Sequence, residues 1–286
     1  MTLLAIAFVL LSALLHATWN LFGKGSEDKS AFFLAQGVAT MLLLLPPVAL
    51  LWPEAAPSAG AWRFVIGSAV AHGAYALFLV KSYEAGDLSV AYPLSRSAPA
   101  LVLLWDVTLG GQRLRPWGIT GALLAVCGAL LVQWPMLRRR GLRGVLRADV
   151  TRYALVTALC IAVFTIIDKQ GVATVHPIVF LFLILAGESP VFIVRMGRAA
   201  LTRVRREWRR GWRTIVATAV VGPVSYLLIL WALRTAPATY VLSLRQTSIV
   251  FGVILGRLVL GEGGTRYPLL GALVITVAGL LISLGG

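Results

Sequence analysis

Long apolar runs separated by short polar punctuation set the pattern of the whole chain. Runs near 2–22, 31–52, 62–82, 88–110, 116–134, 152–170, 177–197, 213–234, 238–260 and 266–285 are each bounded by charged or turn-forming residues. Because the hydrocarbon core of a bilayer takes about 20 apolar residues per helix, these runs predict ten membrane-spanning helices. The first run lacks the basic start and small-residue cleavage site of a signal peptide, so it is expected to be retained as a span. Two connections, 135–151 and 198–212, are long and basic. No stretch is large enough for a soluble domain.

Compared with itself, the chain shows a weak internal repeat. At an offset of 150, Leu94, Gly111, Gly121, Ala122, Leu123, Leu130 and Leu131 meet Leu244, Gly261, Gly271, Ala272, Leu273, Leu280 and Leu281, and one residue of slippage pairs Tyr75 with Tyr226. At an offset of 145, Ala13, Ala17 and Lys24 meet Ala158, Ala162 and Lys169. Five spans per copy is an odd number, which forces the second copy into the bilayer upside down. The expected fold is therefore an all-α integral membrane protein of ten transmembrane helices, arranged as two inverted five-helix repeats around a central cavity. The first repeat covers 1–134, a basic cytoplasmic loop covers 135–151, and the second repeat covers 152–286.

Composition agrees with a membrane protein and removes other classes. Of 286 residues, 59% are hydrophobic and 13% charged, with a mean hydropathy of +0.86, which excludes an ordinary soluble globule and a disordered chain. The formal net charge of +15 would suggest nucleic acid in a soluble protein. Its distribution says otherwise, because eighteen of the 26 basic residues fall in loops after odd-numbered spans and five in loops after even-numbered ones. By the positive-inside rule the basic loops face the cytoplasm and both termini face outward. The arginine runs are thus topogenic, with anionic lipid headgroups as neighbours, and nucleic-acid binding is not expected. Cys127 and Cys160 lie in apolar runs, and no Cys/His spacing fits a metal.

Ionisable groups inside spans are costly and mark a protein interior or a water-filled cavity. Arg96 lies about 12 Å along the fourth span, with Tyr92 one turn before it and Pro93 and Pro99 on either side. Arg245 lies about 10 Å into the ninth span, and Gln246 takes the position the repeat assigns to Arg96. Two cations near the midplane would attract a carboxylate or a phosphoryl group. Glu188 in the seventh span is structural if paired with an Arg and a proton carrier if unpaired. Asp106 and Arg257 sit nearer span ends and are expected to reach an interface. Asp168 and Lys169 read as no more than a boundary pair.

The first span carries Ser12, His16 and Asn20 on one stripe, with Trp19 beside it, and the third carries His72 and Tyr75. Histidine titrates nearest neutrality, so His16 or His72 would serve as a coupling group; the alternative is an interhelical hydrogen bond, the reading that better suits His72. Gly118, Gly121, Ala125 and Gly128 in the fifth span, and Gly271, Ala278 and Gly279 in the tenth, permit close backbone approach. There is no phosphate-binding Gly-Lys loop, zincin pattern or serine elbow in the sequence, so no enzyme and no cofactor is expected, and transport would run on gradients.

Three segments resemble the drug/metabolite transporter superfamily, specifically its ten-helix EamA-type members: His16-Ala17-Thr18-Trp19-Asn20, Asp87-Leu88-Ser89-Val90-Ala91-Tyr92-Pro93-Leu94-Ser95-Arg96, and Gly256 to Glu262. The resemblance runs over the whole chain. It implies a central cavity opening alternately to each side and a metabolite carrier of the bacterial cytoplasmic (inner) membrane, often an exporter. Gln112 departs from it, standing where the first repeat would match Glu262. The superfamily's small multidrug carriers use a glutamate in the first helix; none stands here, which argues against a cationic-drug antiporter.

The expected function is secondary-active export of small polar metabolites, such as amino acids or related anionic or zwitterionic compounds, by a monomer surrounded by membrane lipids. Substrate contacts are expected from Arg96, Tyr92, Trp19, Asn20, Tyr75, Arg245 and Gln246, with His16, Glu188 and His72 as coupling candidates. The alternative is a flippase for a lipid or lipid-linked precursor, in which Arg96 and Arg245 lead a headgroup across.

Overall fold

The computed structural model describes residues 1–23, 26–85, 95, 98–111, 114–132, 134, 138, 149–260 and 266–285. The described residues are mostly helical, joined by short turns, and hold no strand. The helices are α1 (Leu3–Gly23), α2 (Lys29–Ala55), α3 (Trp62–Ala85), α4 (Ala98–Thr108), α5 (Pro116–Val132), α6 (Asp149–Gly171), α7 (Pro177–Met196), α8 (Ala200–Thr235), α9 (Ala238–Arg245), α10 (Thr247–Leu260) and α11 (Arg266–Gly285). Among the described residues, five stretches are long and apolar enough to cross a membrane: Leu3–Phe22, Lys29–Ala55, Trp62–Ser82, Thr151–Gly171 and Pro177–Thr235. Large apolar side chains such as Leu50, Val70, Val194 and Leu284 stand on the outside, as lipid-facing positions should.

Local chemistry explains several boundaries. Asp28 caps α2 by accepting from the Ala31 amide at 3.1 Å. Pro177 opens α7 behind His176, whose Nδ1 accepts from the Ile178 amide at 3.3 Å. Within α8, Pro223 has no amide to offer the carbonyl of Ala219. The Thr40 hydroxyl on α2 donates to that carbonyl at 2.9 Å, so a neighbouring helix completes what proline leaves open.

The chain's second basic connection is not a loop. Gly197, with φ of 58°, turns the chain at the end of α7, and Ala200–Arg210 forms the first part of α8. Gly211 then leaves helical geometry (φ −145°, ψ 37°) before the helix resumes. Alternating arginines on an otherwise helix-favouring stretch read as loop charge, whereas their spacing fits an amphipathic helix. The ninth predicted span is likewise divided. The Gln246 amide donates to Ser243 O at 3.1 Å, a tightened turn separating α9 from α10.

Helices pack mainly across the halves: α1 on α8, α3 on α6, α2 on α7 and α5 on α11. The last contact uses small residues. A Cβ on Gly121 would stand 2.8 Å from the Ala278 carbonyl, and one on Gly128 would stand 3.0 Å from the Gly271 carbonyl, so these helices meet backbone to backbone. In lipid such van der Waals contact, rather than escape from water, holds helices together. A continuous core including Val9, Phe180, Ile184, Leu230, Leu233 and Leu244 fills the interior.

Candidate functional site

A polar cluster lies where α3, α6, α8 and α9 meet. Ser68 and His72 stand one turn apart on α3, Phe164 and Asp168 one turn apart on α6, Tyr226 on α8, and Arg245 at the end of α9. Asp168 is fully buried and His72 nearly so. One Asp168 oxygen accepts from the Ser68 hydroxyl and the other from the Tyr226 hydroxyl. His72 Nδ1 lies 3.0 Å from the Ser68 carbonyl and 3.1 Å from its hydroxyl, and Nε2 lies 3.1 Å from the Tyr226 hydroxyl. His72 Nε2 lies 3.9 Å from the Asp168 Oδ2 atom that Tyr226 bonds.

Counting hydrogens shows what this arrangement does. The Ser68 carbonyl only accepts, so Nδ1 carries a hydrogen. With Asp168 ionised, Tyr226 gives its hydrogen to the carboxylate, and the Nε2 contact is a hydrogen bond only if Nε2 is protonated too. With Asp168 protonated, the acid donates to Tyr226 and Tyr226 donates to a neutral Nε2. The two states hold the same number of protons, and moving two hydrogens along the Nε2–Oη–Oδ2 line interconverts them. Removing one proton leaves two lone pairs facing each other, on Nε2 and on the tyrosine oxygen. In this arrangement the network can hold one proton in two positions, and its hydrogen bonds tie α3 to both α6 and α8.

Aromatic rings and a cation surround the network. Phe164 stacks on His72 with centroids 3.9 Å apart, and Tyr75 and Tyr226 meet Phe164 edge-on at 5.6 and 6.4 Å. The Arg245 guanidinium carbon lies 5.6 Å from the centroid of the Tyr226 ring. Glu188 on α7 is half-buried, its backbone beside Gly73 of α3. Gln246 is buried at the turn between α9 and α10. On either side of it the hydroxyls of Ser243 and Ser248 are buried with no hydrogen-bond partner among the described residues, the kind of polar atom that a ligand or water completes.

A second group gathers toward the other ends of the helices. Trp19 lies between His16 and Phe33, at centroid distances of 5.5 and 5.7 Å, and its indole donates to Gln36 at 3.0 Å. Gly222 makes room for it: a Cβ there would stand 2.9 Å from the indole nitrogen. The Asn20 amide donates to the His16 carbonyl at 2.9 Å on its own helix. Ser12 is not on a cavity wall, because it is fully buried and bonded to Ser225 at 3.1 Å, joining α1 to α8.

The structure thus brings His72, Tyr75, Arg245 and Glu188 to one region and His16, Trp19 and Asn20 to another, while Tyr92 and Arg96 lie outside the described residues. Two sequence expectations are corrected. Asp168 is no boundary residue but the centre of the buried network. Asp106 does not reach an interface; it is buried and accepts from the Thr239 amide at 3.0 Å and its hydroxyl at 2.7 Å, holding the start of α9. Lys169 separately donates to the carbonyls of Leu233 and Ala236 at 3.2 and 2.7 Å, closing the end of α8. Phe33, Phe164 and Gly222 carry no sequence signal, since each is an ordinary residue of an apolar helix, whereas Gln36, a polar residue in an apolar run, could have been found by the same test that singles out His72.

An all-helical, multi-pass membrane protein with a buried acid and base beside a half-buried cation defines the class. The chain belongs to the EamA-like transporter family, whose model matches it at residues 3–134 and again at 152–284. This family is part of the drug/metabolite transporter superfamily. A protein of Helicobacter pylori (strain J99 / ATCC 700824), named as an uncharacterized transporter, is 26% identical over 298 residues, covering 99% of this chain and 95% of that one. A solved crystal structure of a protein superposes with a TM-score of 0.75 at 15% identity, over 98% of this chain and 96% of the other; that likeness is one of fold alone. Family and relative point to membrane transport and away from an enzyme.

Proposed function

We propose that the chain is a proton-coupled secondary carrier exporting small polar metabolites, amino acids or related anionic and zwitterionic compounds, across the bacterial cytoplasmic membrane by alternating access. The observation that carries this reading is the His72–Tyr226–Asp168 relay beside Arg245. Arg245, together with Arg96 and Tyr92 from the fourth span, binds the substrate's acidic group, with Tyr75, Trp19, Asn20 and Gln246 as further contacts. The relay holds α3 against α6 and α8 while its proton is present. Loss of that proton sets lone pairs against each other and favours separation of these helices, so proton occupancy biases the two access states. His16 and Glu188 are candidates for passing the proton onward on either side of this relay.

Ten spans in two inverted repeats, 1–134 and 152–286 joined by 135–151, suit this mechanism. The family's match to each half supports it, and so does the packing. Shifting every span by five turns the α1–α8 contact into the α6–α3 contact, and turns α3–α7 into α8–α2. The test is transport of an amino-acid and organophosphonate panel into proteoliposomes with an acidic interior. Accumulation of a substrate that collapses with the pH gradient supports the reading, and substrate movement indifferent to the gradient contradicts it.

A further inference from the structure

The Ala200–Arg210 arm has three distinct faces. Ala200, Arg203, Val204, Glu207 and Arg210 turn toward the protein, where Arg203 pairs with Asp28 through two hydrogen bonds of 2.6 and 2.8 Å and Arg210 pairs with Glu27. Val204 packs on Phe32 and Ala35. Leu201 and Trp208, two turns apart, form an uncovered apolar line, 63% and 41% exposed, which Trp212 continues just past the bend at 49%. Beside that line Thr202, Arg205, Arg206 and Arg209 border a surface hollow of ≈ 370 Å³, and all four are exposed. Among the described residues, two of the arm's five arginines are matched by carboxylates, and the exposed Arg205, Arg206 and Arg209 present charge outward.

The arm joins two membrane-spanning helices. The 20 residues of α7 cover about 30 Å, the thickness of a hydrocarbon core. The glycines at 197 and 211 bend the chain at either end of the arm. Both ends of the arm therefore lie at the same membrane face, with basic and apolar lines side by side. That pairing suits a headgroup with its acyl chains, whereas a soluble anion would leave Leu201 and Trp208 without purpose.

We propose that the arm binds anionic phospholipid, with Arg205, Arg206, Arg209 and Thr202 holding the headgroup phosphate and Leu201, Trp208 and Trp212 entering the acyl boundary. Its ion pairs to Glu27 and Asp28 carry that attachment to the α1–α2 connection. The test takes the purified full-length protein in neutral detergent and adds phosphatidylglycerol, phosphatidylcholine or inorganic phosphate. Thermal melting and lipid retained in native mass spectra are the readouts. Phosphatidylglycerol is expected to raise the melting temperature and remain bound, and the other two to do neither. R205Q/R206Q/R209Q should weaken phosphatidylglycerol binding by about a hundredfold, roughly fivefold per arginine. The charge-preserving R205K/R206K/R209K should retain most of it, and L201S/W208S should lose it severalfold. Equal retention by wild type and R205Q/R206Q/R209Q, equal stabilisation by phosphatidylcholine, or equal stabilisation by inorganic phosphate overturns the proposal.

Discussion

Replacing Tyr226 by Phe removes one oxygen and leaves the ring in place, which makes it the cleanest perturbation of the relay. The lost hydroxyl donates to Asp168 and meets His72 Nε2 at 3.1 Å, so the variant strands one carboxylate oxygen and one imidazole nitrogen in a buried setting. Each stranded polar group costs about 1–3 kcal/mol, and the phenyl ring keeps its edge contact with Phe164. The expected destabilisation is therefore about 2–6 kcal/mol, seen as a lower melting temperature in detergent. Function should change in kind as well as degree. Nε2 and Oδ2 no longer share a bridging atom, so gradient-driven accumulation should disappear while substrate-for-substrate exchange, which needs no net proton movement, persists. Counterflow and inside-acid accumulation measured on the same proteoliposomes separate the two. A Tyr226→Phe carrier with wild-type accumulation would show that the hydroxyl carries no proton.

Other sites give independent checks. Thr40→Val should destabilise the protein by about 1–3 kcal/mol by exposing the Ala219 carbonyl to apolar surroundings. In a Pro223→Ala background the same change should cost much less, because the new amide satisfies that carbonyl; equal losses in both backgrounds would refute the bond's assigned role. Gly222→Ala pushes a methyl into the Trp19 indole and should lower the melting temperature by an amount corresponding to about 1–3 kcal/mol, and an unchanged melting curve would mean that Trp19 is not held there. His176 lies in the connection between α6 and α7. Burial, reinforced by the charge of Arg234, holds its pKa below the ordinary 6.5. A depressed pKa means that the unfolded chain binds the proton first, so this contribution is complete above about pH 6.5 and declines as pH falls below it. His176→Ala should flatten that part of the stability–pH curve and remove a helix cap of about 1 kcal/mol; an unaltered acid limb would count against the cap.

The all-helical membrane character is legible because the bilayer imposes a length and a composition on every span, and family membership and the apolar helices agree with it. The site was less legible. Asp168 reads as peripheral in the sequence because it stands next to Lys169 and close to the end of its own helix. Its burial comes from α3 and α8 closing over it, which no single-helix measure registers. Asp106 misled in the same way, since its partner Thr239 is 133 residues away. His72 and Tyr75 stood out because a polar residue in an apolar run is conspicuous, whereas Phe164 and Gly222 act through shape and leave no such mark. The arm at 200–210 was hidden by its arginines, whose number suggested a loop while their spacing built three faces.

The central claim is that one proton moves through the His72–Tyr226–Asp168 relay for transport to occur. The most direct measurement is the pH change inside sealed proteoliposomes when substrate is added outside, in the wild type and in Asp168→Asn. A relay through these three residues gives a substrate-dependent proton flux in the wild type, and none in the variant despite retained substrate binding. Equal proton flux in both would contradict it.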